Sequence, residues 1–143
     1  MSSKTILLVE DNQSDIDLTI RAFEKAHILN ELVVAEDGQQ ALDLLLGDSH
    51  CKESWELPAL ILLDINLPKV DGIEVLRAIC QNEITHNQLV VILTSSTEER
   101  DMKEAYDLGV NSYIRKPVDF RQFSTVIESL GNYWLTINET PPV

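Results

Sequence analysis

Five polar side chains of complementary chemistry lie just past short apolar runs of the sequence: Glu10, Asp11, Asp64, Thr94 and Lys116. Carboxylates that lie close together repel one another, which raises a pKa unless a cation neutralises them. Mg²⁺ prefers oxygen ligands and is commonly held by one or two carboxylates with water and phosphate oxygens. Asp is a known nucleophile for phosphoryl transfer, and the protein's share of that step is positioning and charge neutralisation. The set therefore predicts magnesium-dependent transfer of a phosphoryl group onto Asp64, with the hydroxyl and the ammonium holding phosphoryl oxygens.

Taken singly, each of these residues has a plainer interpretation. Glu10 and Asp11 could form only a turn and helix cap, Thr94 could start a helix, and Lys116 could be a solvated surface charge. The joint pattern is more specific, because four separate strand ends each supply a group that fits the same chemistry.

For these groups to meet, the runs before them must be strands of one parallel sheet, whose carboxyl ends form a common edge. Five β-prone runs alternate with helical patterns, which predicts an α/β fold with helices on both faces of the sheet. A doubly wound sheet of order 2-1-3-4-5 is expected, with its switch point between the first and third strands. The predicted strands are Thr5–Val9, Glu31–Ala35, Leu60–Leu63, 89–93 and 112–114.

The intervening helices are predicted from apolar spacing and cap residues. A capping box of Ser14 and Asp17 is expected to start the first helix, which runs to about Ala26. The second helix is expected to stop at Gly47, and a loop over 48–57 follows. Asp71 and Glu74 are expected to cap the third helix. The buried stripe of the first helix is predicted to be Ile16, Ile20, Phe23 and His27. The fourth helix is expected over about 97–108, and the fifth from near Asp119 to about Leu135.

Composition sets the wider limits. The chain has 143 residues, which predicts one domain over 1–143, with a core at about 5–135 and a short tail at 136–143. Its formal net charge of −13 argues against nucleic acid as a direct partner, because an acidic surface repels phosphate backbones. Cys51 and Cys80 lack metal-ligand spacing and are expected to be reduced, in the cytoplasm. The first apolar run is too short for a signal peptide or a membrane span.

The motifs resemble the response-regulator receiver domain of two-component signalling, a flavodoxin-like (βα)5 fold. The resemblance covers Ile6 to about Leu130, in order and spacing. The loop before the third strand and residues 133–135 resemble the cyanobacterial phytochrome-associated single-domain regulators. The matching segments are 8–12 (LVEDN), 62–68 (LLDINLP), Asp71 with Gly72, 93–95 (LTS) and Lys116 with Pro117.

The resemblance implies a metal site for Mg²⁺, or Mn²⁺, beside the phosphoacceptor Asp64. Asp11 and Asp64 would bind the ion with the backbone carbonyl of Asn66, and Glu10 would act through water. The side chain of Asn66 stands at a position that tunes phosphoryl lifetime in the family, as does Ser96.

The resemblance also implies roles in phosphoryl binding and switching. Thr94 and Lys116 would bind the phosphoryl group, Thr94 would move toward it, and the aromatic Tyr113 would turn inward. The peptide bond before Pro117 is expected to be cis. Small polar side chains at Asn66 and Ser96 leave room for an attacking water, and we expect a moderate phosphoryl lifetime.

The expected partner is a sensor histidine kinase, in this subgroup a phytochrome, and the expected output is a surface of the fourth helix, fifth strand and fifth helix. Since only a short tail follows the fifth helix, no output domain is expected. That helix carries an apolar arc wider than one packing face, which indicates a protein contact; a wide core face under the tail is the alternative. The resemblance to the phytochrome-associated subgroup implies a homodimer through this surface. The stripe is Phe120, Phe123, Ile127, Leu130 and Trp134, and the wider arc adds Val126, Tyr133 and Ile137.

Three other functions fit less well. A phosphatase of the haloacid-dehalogenase type would need an acid where Asn66 stands, so no turnover enzyme is expected. A flavodoxin would need a phosphate-binding loop where Glu10 and Asp11 lie. A phosphorylation-independent binding module with a silent site stays open, although the complete set of Asp64, Thr94 and Lys116 argues against it.

Overall fold

The computed structural model of the protein describes residues 5–47, 57–117 and 119–139. Five strands form one sheet of order 2-1-3-4-5, and all neighbouring strands are parallel. This confirms the predicted fold class and strand order. The strands are β1 Thr5–Val9, β2 Glu31–Ala35, β3 Leu60–Leu63, β4 Val90–Thr94 and β5 Ser112–Arg115.

Helices cover both faces of the sheet. Helices α1 and α5 pack together on one face, and α2, α3 and α4 pack in that order on the other. A π-helical turn, Tyr133–Ile137, follows α5 directly. The helices are α1 Gln13–Lys25, α2 Gly38–Leu46, α3 Gly72–Gln81, α4 Glu99–Asp107 and α5 Phe120–Asn132.

The core consists of two apolar clusters, one on each side of the sheet. Strand β3 is buried along its whole length, because a parallel strand with helices on both faces has no solvent side. Successive residues of a strand point to opposite faces. On the α2–α4 side lie Leu7, Val9, Ile61 and Leu63, and on the α1–α5 side lie Ile6, Leu8, Leu60 and Leu62.

The start of α1 differs from the predicted capping box. The N-cap is Asn12, whose side chain accepts a hydrogen bond from the Asp15 backbone N–H at 3.0 Å. Asn12 has extended backbone angles and the helix begins at Gln13, so Ser14 already lies inside the first turn. An Asn at this position satisfies one of the free N–H groups of the helix.

The predicted buried stripe of α1 is also partly wrong. Ile16 and Phe23 are buried, but Ile20 is 36% exposed. His27 lies beyond the helix end with a positive φ of 58°. Its N–H and that of Ile28 bond back to carbonyls of the last turn, as in a left-handed helix C-terminus.

The predicted cap of α3 is confirmed, and the predicted start of α5 near Asp119 agrees with the structure, where Asp119 is the N-cap. Asp71 accepts a hydrogen bond from the Glu74 N–H at 3.1 Å, and Asp119 caps α5 through the Gln122 N–H at 2.9 Å. Cys80 is a free thiol. Cys51 and the predicted loop up to residue 56 lie outside the described residues.

The predicted stripe of α5 faces the core. Phe123, Ile127 and Leu130 are buried on the α1 side of the sheet, with Phe120 and Trp134 partly buried beside them. In the wider arc Val126 is half-buried, whereas Tyr133 and Ile137 are 47% and 66% exposed. No helix of the described residues is long and apolar enough to cross a membrane.

Candidate functional site

Three carboxylates form a cluster at the carboxyl edge of the sheet. Val9 pairs with Leu63 in the parallel ladder of β1 and β3, so the acids that follow these two residues are brought side by side. One carboxylate oxygen from each of Glu10, Asp11 and Asp64 lies within 4.8 Å of the others. Glu10 and Asp64 are buried and Asp11 is exposed, which leaves the cluster open to solvent on the Asp11 side.

Backbone groups fix the direction of the two buried acids. The Ile65 N–H donates a hydrogen bond to Asp64 Oδ1 at 2.7 Å. The Asn12 N–H donates to Glu10 Oε2 at 3.2 Å. Each acid therefore has one oxygen occupied by the backbone and one directed toward the other charged groups of the site.

Lys116 supplies the positive charge. Its backbone N–H donates to the Thr94 carbonyl at 2.8 Å, which extends the pairing of β4 with β5 by one residue. Its side chain is only 8% exposed, and Nζ contacts Glu10 Oε1, Asp15 Oδ2 at 2.9 Å and Asp64 Oδ2 at 3.4 Å. The lysine thus joins the ends of three strands and the first turn of α1.

Asp15 was not among the residues predicted for the site. It lies four residues after Asp11, and with Asn12 as the N-cap it falls on the first turn of α1, above the edge of the sheet. With the cap predicted at Ser14, Asp15 would be the first residue of the helix and was not expected to face the site. Recognition of Asn12 as the cap would have predicted an acid facing the site.

Burial and charge set the protonation of the site. Burial raises the pKa of Glu10 to about 7, with a further rise from Asp64, while the hydrogen bond and charge of Lys116 act in the opposite direction. For Lys116, burial alone would lower the pKa. The carboxylates of Asp64, Asp15 and Glu10 outweigh that effect and hold the pKa above its ordinary value, so the lysine is charged at neutral pH.

Thr94 and Ser96 begin the connection from β4 to α4. Thr94 is completely buried, and its Oγ1 accepts a hydrogen bond from the Ser96 N–H at 3.2 Å. Ser96 Oγ donates to Asp101 Oδ2 at 2.7 Å, on the first turn of α4. Ser96, Asn66 and Asp101 also line a groove of about 820 Å³ between α3 and α4, which borders the site.

Tyr113 lies on β5, with its ring 6.4 Å from that of Tyr106. Its hydroxyl oxygen is buried without a hydrogen-bond partner of good geometry among the described residues. Burial raises the pKa of Tyr113, more than the nearby Ser96 side chain lowers it.

The expected cis peptide is wrong for this structure. No cis peptide bond occurs among the described residues, so the Lys116–Pro117 bond is trans. The cis expectation came from the family resemblance alone. The trans form of an X–Pro bond is the more stable by about 0.5–1 kcal/mol.

The donor set fits a hard divalent cation. Three carboxylates converge, against a single lysine at their centre, and oxygen atoms are the ligands that Mg²⁺ and Mn²⁺ prefer. A dication would neutralise charge that Lys116 alone leaves uncompensated.

Three relatives are similar to this chain over most of their length. A probable methanogenesis regulatory protein, FilR2 of Methanothrix harundinacea, is 42% identical over 136 residues, covering 95% of this chain and 86% of the relative. Response regulator Rcp1 of Synechocystis is 38% identical over 132 residues, covering 92% of this chain and 89% of Rcp1. The crystal structure of Mn²⁺-bound Rcp1 superimposes with a TM-score of 0.87 at 36% identity, covering 96% of this chain and 99% of that one. The crystal structure of the phosphorylated cyanobacterial phytochrome response regulator RcpA superimposes with a TM-score of 0.90 at 36% identity, covering 99% and 100%.

The family profile described as "Response regulator receiver domain" matches residues 6–128. That range runs from β1 into α5 and includes each side chain of the acidic cluster, Thr94 and Lys116. Together with the strand order and the relatives, the match shows that this chain belongs to the response regulator receiver domain family.

Proposed function

We propose that the chain works as a single-domain response regulator in which Asp64 accepts a phosphoryl group from a sensor histidine kinase. The observation that carries this proposal is the contact of Lys116 with Asp64 inside the carboxylate cluster. An acid that was only a strand terminus would not need two neighbouring acids and a buried lysine. Relatives that are named as phosphorylated or Mn²⁺-bound response regulators support it.

In the proposed reaction, a carboxylate oxygen of Asp64 attacks the phosphorus of the donor. A new O–P bond forms, and the bond from phosphorus to the donor's leaving group breaks, with the leaving group keeping that electron pair. Lys116 and the Thr94 hydroxyl would hold oxygens of the transferred group and stabilise the charge that is spread over them.

Glu10, Asp11 and Asp64, with the backbone carbonyl of Asn66, are the groups proposed to hold Mg²⁺, and Mn²⁺ in its place. When bound, such an ion would supply charge neutralisation that lets a phosphoryl anion approach an acidic site. Without it, the chain's own negative charge opposes that approach.

The proposed readout runs through Thr94 and Tyr113. When the Thr94 hydroxyl turns to the phosphoryl group, the Ser96 N–H loses its acceptor, and the β4–α4 connection is free to rearrange. The Tyr113 ring, whose buried hydroxyl lies near the Ser96 side chain, would then turn further inward. Asn66 and Ser96 are proposed to set a moderate phosphoryl lifetime. In this proposal the protein discharges its own phosphoryl group and turns over no other substrate.

The proposed output is a homodimer through α4, β5 and α5, in the cytoplasm. The exposed side chains of Tyr106, Tyr133 and Ile137 support a protein contact on this side. The resemblance to regulators named for phytochromes supports a phytochrome as the kinase. Sedimentation that finds only monomer at high concentration, with and without phosphorylation, would contradict the dimer.

Incubation with acetyl phosphate and Mg²⁺, followed by intact mass measurement, tests the central proposal. The expected result is a gain of one phosphoryl group that is absent in Asp64→Asn and present in the control Asp107→Asn. Asp107 is an exposed acid of α4 paired with Lys103, so its variant has the same change of charge. A folded, metal-loaded wild type that gains no mass would favour the phosphorylation-independent binding module.

A further inference from the structure

We propose that Asp15 is a positioning residue that keeps the Lys116 ammonium at the site while the other carboxylates engage the metal ion and the phosphoryl group. This inference rests on the proposed function of Asp64. It concerns a residue outside the carboxylate cluster that fits the metal.

The contacts of Lys116 separate into two kinds. Its ammonium has three donors and meets three carboxylates, those of Glu10, Asp15 and Asp64. Glu10 and Asp64 belong to the cluster whose oxygens converge, and both would exchange part of their interaction with the lysine for the cation. Asp15 is not a member of that cluster. It is therefore the one carboxylate that can hold Lys116 in the same way before and after the site is loaded.

Asp15 is itself firmly held. Its backbone N–H donates to Asn12 Oδ1 at 3.0 Å, and its carbonyl accepts a hydrogen bond from Thr19 Oγ1 at 2.7 Å. Thr19 is buried. These bonds fix the first turn of α1, so the Asp15 carboxylate projects from a rigid element, which is what a precise site requires.

Lys116 needs such an anchor. A lysine side chain has a flexible four-carbon stem and a compact charge with no fixed geometry. The Asp15 contact occupies one donor at 2.9 Å and leaves two for Glu10 and for a phosphoryl oxygen. Loss of this contact would let the ammonium sample other positions during phosphoryl transfer.

Holding Lys116 would speed phosphoryl transfer, whereas the negative charge of Asp15 would slow it, because that charge repels an incoming phosphoryl anion. Two substitutions separate the effects. Asp15→Asn removes the charge and keeps an oxygen that accepts a hydrogen bond from Lys116, whereas Asp15→Ala removes both. Asp17→Ala is the matched control, since Asp17 lies on the same helix and its carboxylate accepts a hydrogen bond from Gln13 at 2.9 Å, outside the Lys116 cluster.

The first measurement is the rate of phosphorylation by acetyl phosphate at saturating Mg²⁺. For Asp15→Ala we expect a decrease of about tenfold, the usual scale for loss of one charge-assisted hydrogen bond. Asp15→Asn is expected to recover most of the rate, and Asp17→Ala to match the wild type. An Asp15→Ala rate equal to or above that of Asp17→Ala would overturn the proposal, and a faster rate would make Asp15 an electrostatic brake.

A second measurement does not depend on phosphorylation. In Mg²⁺-loaded protein with ¹⁵N-labelled lysine, the Lys116 ammonium is expected to give a protected NMR signal. This signal should vanish in Asp15→Ala and persist in Asp17→Ala. A signal that survives in Asp15→Ala would overturn the anchoring role. If the wild type accepts no phosphoryl group, the proposed function fails, and the ammonium signal alone decides the role of Asp15.

Discussion

A Cβ atom placed on Gly72 would lie 2.1 Å from the backbone carbonyl oxygen of Asp64 and 2.6 Å from the Cα of Ile65. The first residue of α3 therefore touches the main chain of the proposed phosphoacceptor. The Gly72 N–H also donates to the Ile65 carbonyl at 2.8 Å. The close approach ties the loop after β3 to α3 and leaves no space for a side chain.

Gly72→Ala is expected to destabilise the fold and displace Asp64. The clash is with backbone atoms, which cannot move aside as a side chain can, so a loss of about 1–3 kcal/mol in the free energy of unfolding is expected. Chemical denaturation measures it. Gly131→Ala is the control, because the nearest atom there is the Cδ1 of the flexible Ile28 side chain. Equal losses for the two variants would show that close backbone contact at Gly72 has no special cost.

Much of the fold follows from the sequence because its strands are buried on both faces. An uninterrupted run such as Leu60–Leu63 is hard to place anywhere but in a covered parallel strand. Once the strands are parallel, their last residues must share an edge. The meeting of Glu10, Asp64 and Lys116 was predictable for that reason.

The remainder depends on details that periodicity does not contain. Asp15 reaches Lys116 only because Asn12, and not Ser14, caps α1, and both residue types are good caps. The exposure of Ile20 depends on how α5 covers α1, which no local pattern gives. The burial of the Tyr113 hydroxyl depends on tertiary packing, whereas the trans bond before Pro117 follows the intrinsic preference of X–Pro bonds.

Helix caps in this chain are expected to differ in strength according to their contacts. Asp71→Ala removes the hydrogen bond to the Glu74 N–H and should cost about 1 kcal/mol. Glu98→Ala, at the N-cap of α4, should cost much less, since Glu98 makes no side-chain cap bond and its ion pair with Arg100 is exposed. Thermal and urea denaturation compare them. A larger loss for Glu98→Ala would contradict this account of the two caps.

The cap of α2 is expected to depend on pH. Asp37 accepts a hydrogen bond from the Gln40 N–H at 2.7 Å and pairs with Lys69 at 3.5 Å. The backbone bond first, and Lys69 second, lower the pKa of Asp37 below its ordinary 3.8. A carboxyl with a lowered folded pKa stabilises the fold above its unfolded pKa, and this stability is lost as pH falls through the folded pKa.

The comparison is therefore between wild type and Asp37→Asn, which keeps an oxygen that can cap the helix but has no charge. The wild type is expected to be the more stable at pH 6, and the difference should shrink as the pH is lowered below about 3.8, the ordinary value. Urea denaturation at several pH values measures it. If the stability difference between the wild type and Asp37→Asn grew as the pH fell, this account of the Asp37 cap would be contradicted.

Divalent metal is expected to stabilise the protein through the acids of the cluster. A ligand that binds only the folded state adds about 2.7 kcal/mol at a hundred times its dissociation constant. Asp11→Asn should reduce the rise in melting temperature on adding Mg²⁺, because it removes one of the three converging carboxylates. Asp107→Asn, the exposed acid of α4, should keep the full response.

Asp11→Asn should have the opposite effect on the metal-free protein. With chelator present, the variant is expected to be as stable as the wild type or more stable, because Glu10 and Asp64 then lose a neighbouring like charge. A substitution that damaged the fold in general would lower both melting temperatures together. Higher metal-free stability with a weaker metal response therefore identifies Asp11 as a ligand, and an undiminished response in Asp11→Asn would place the cation elsewhere.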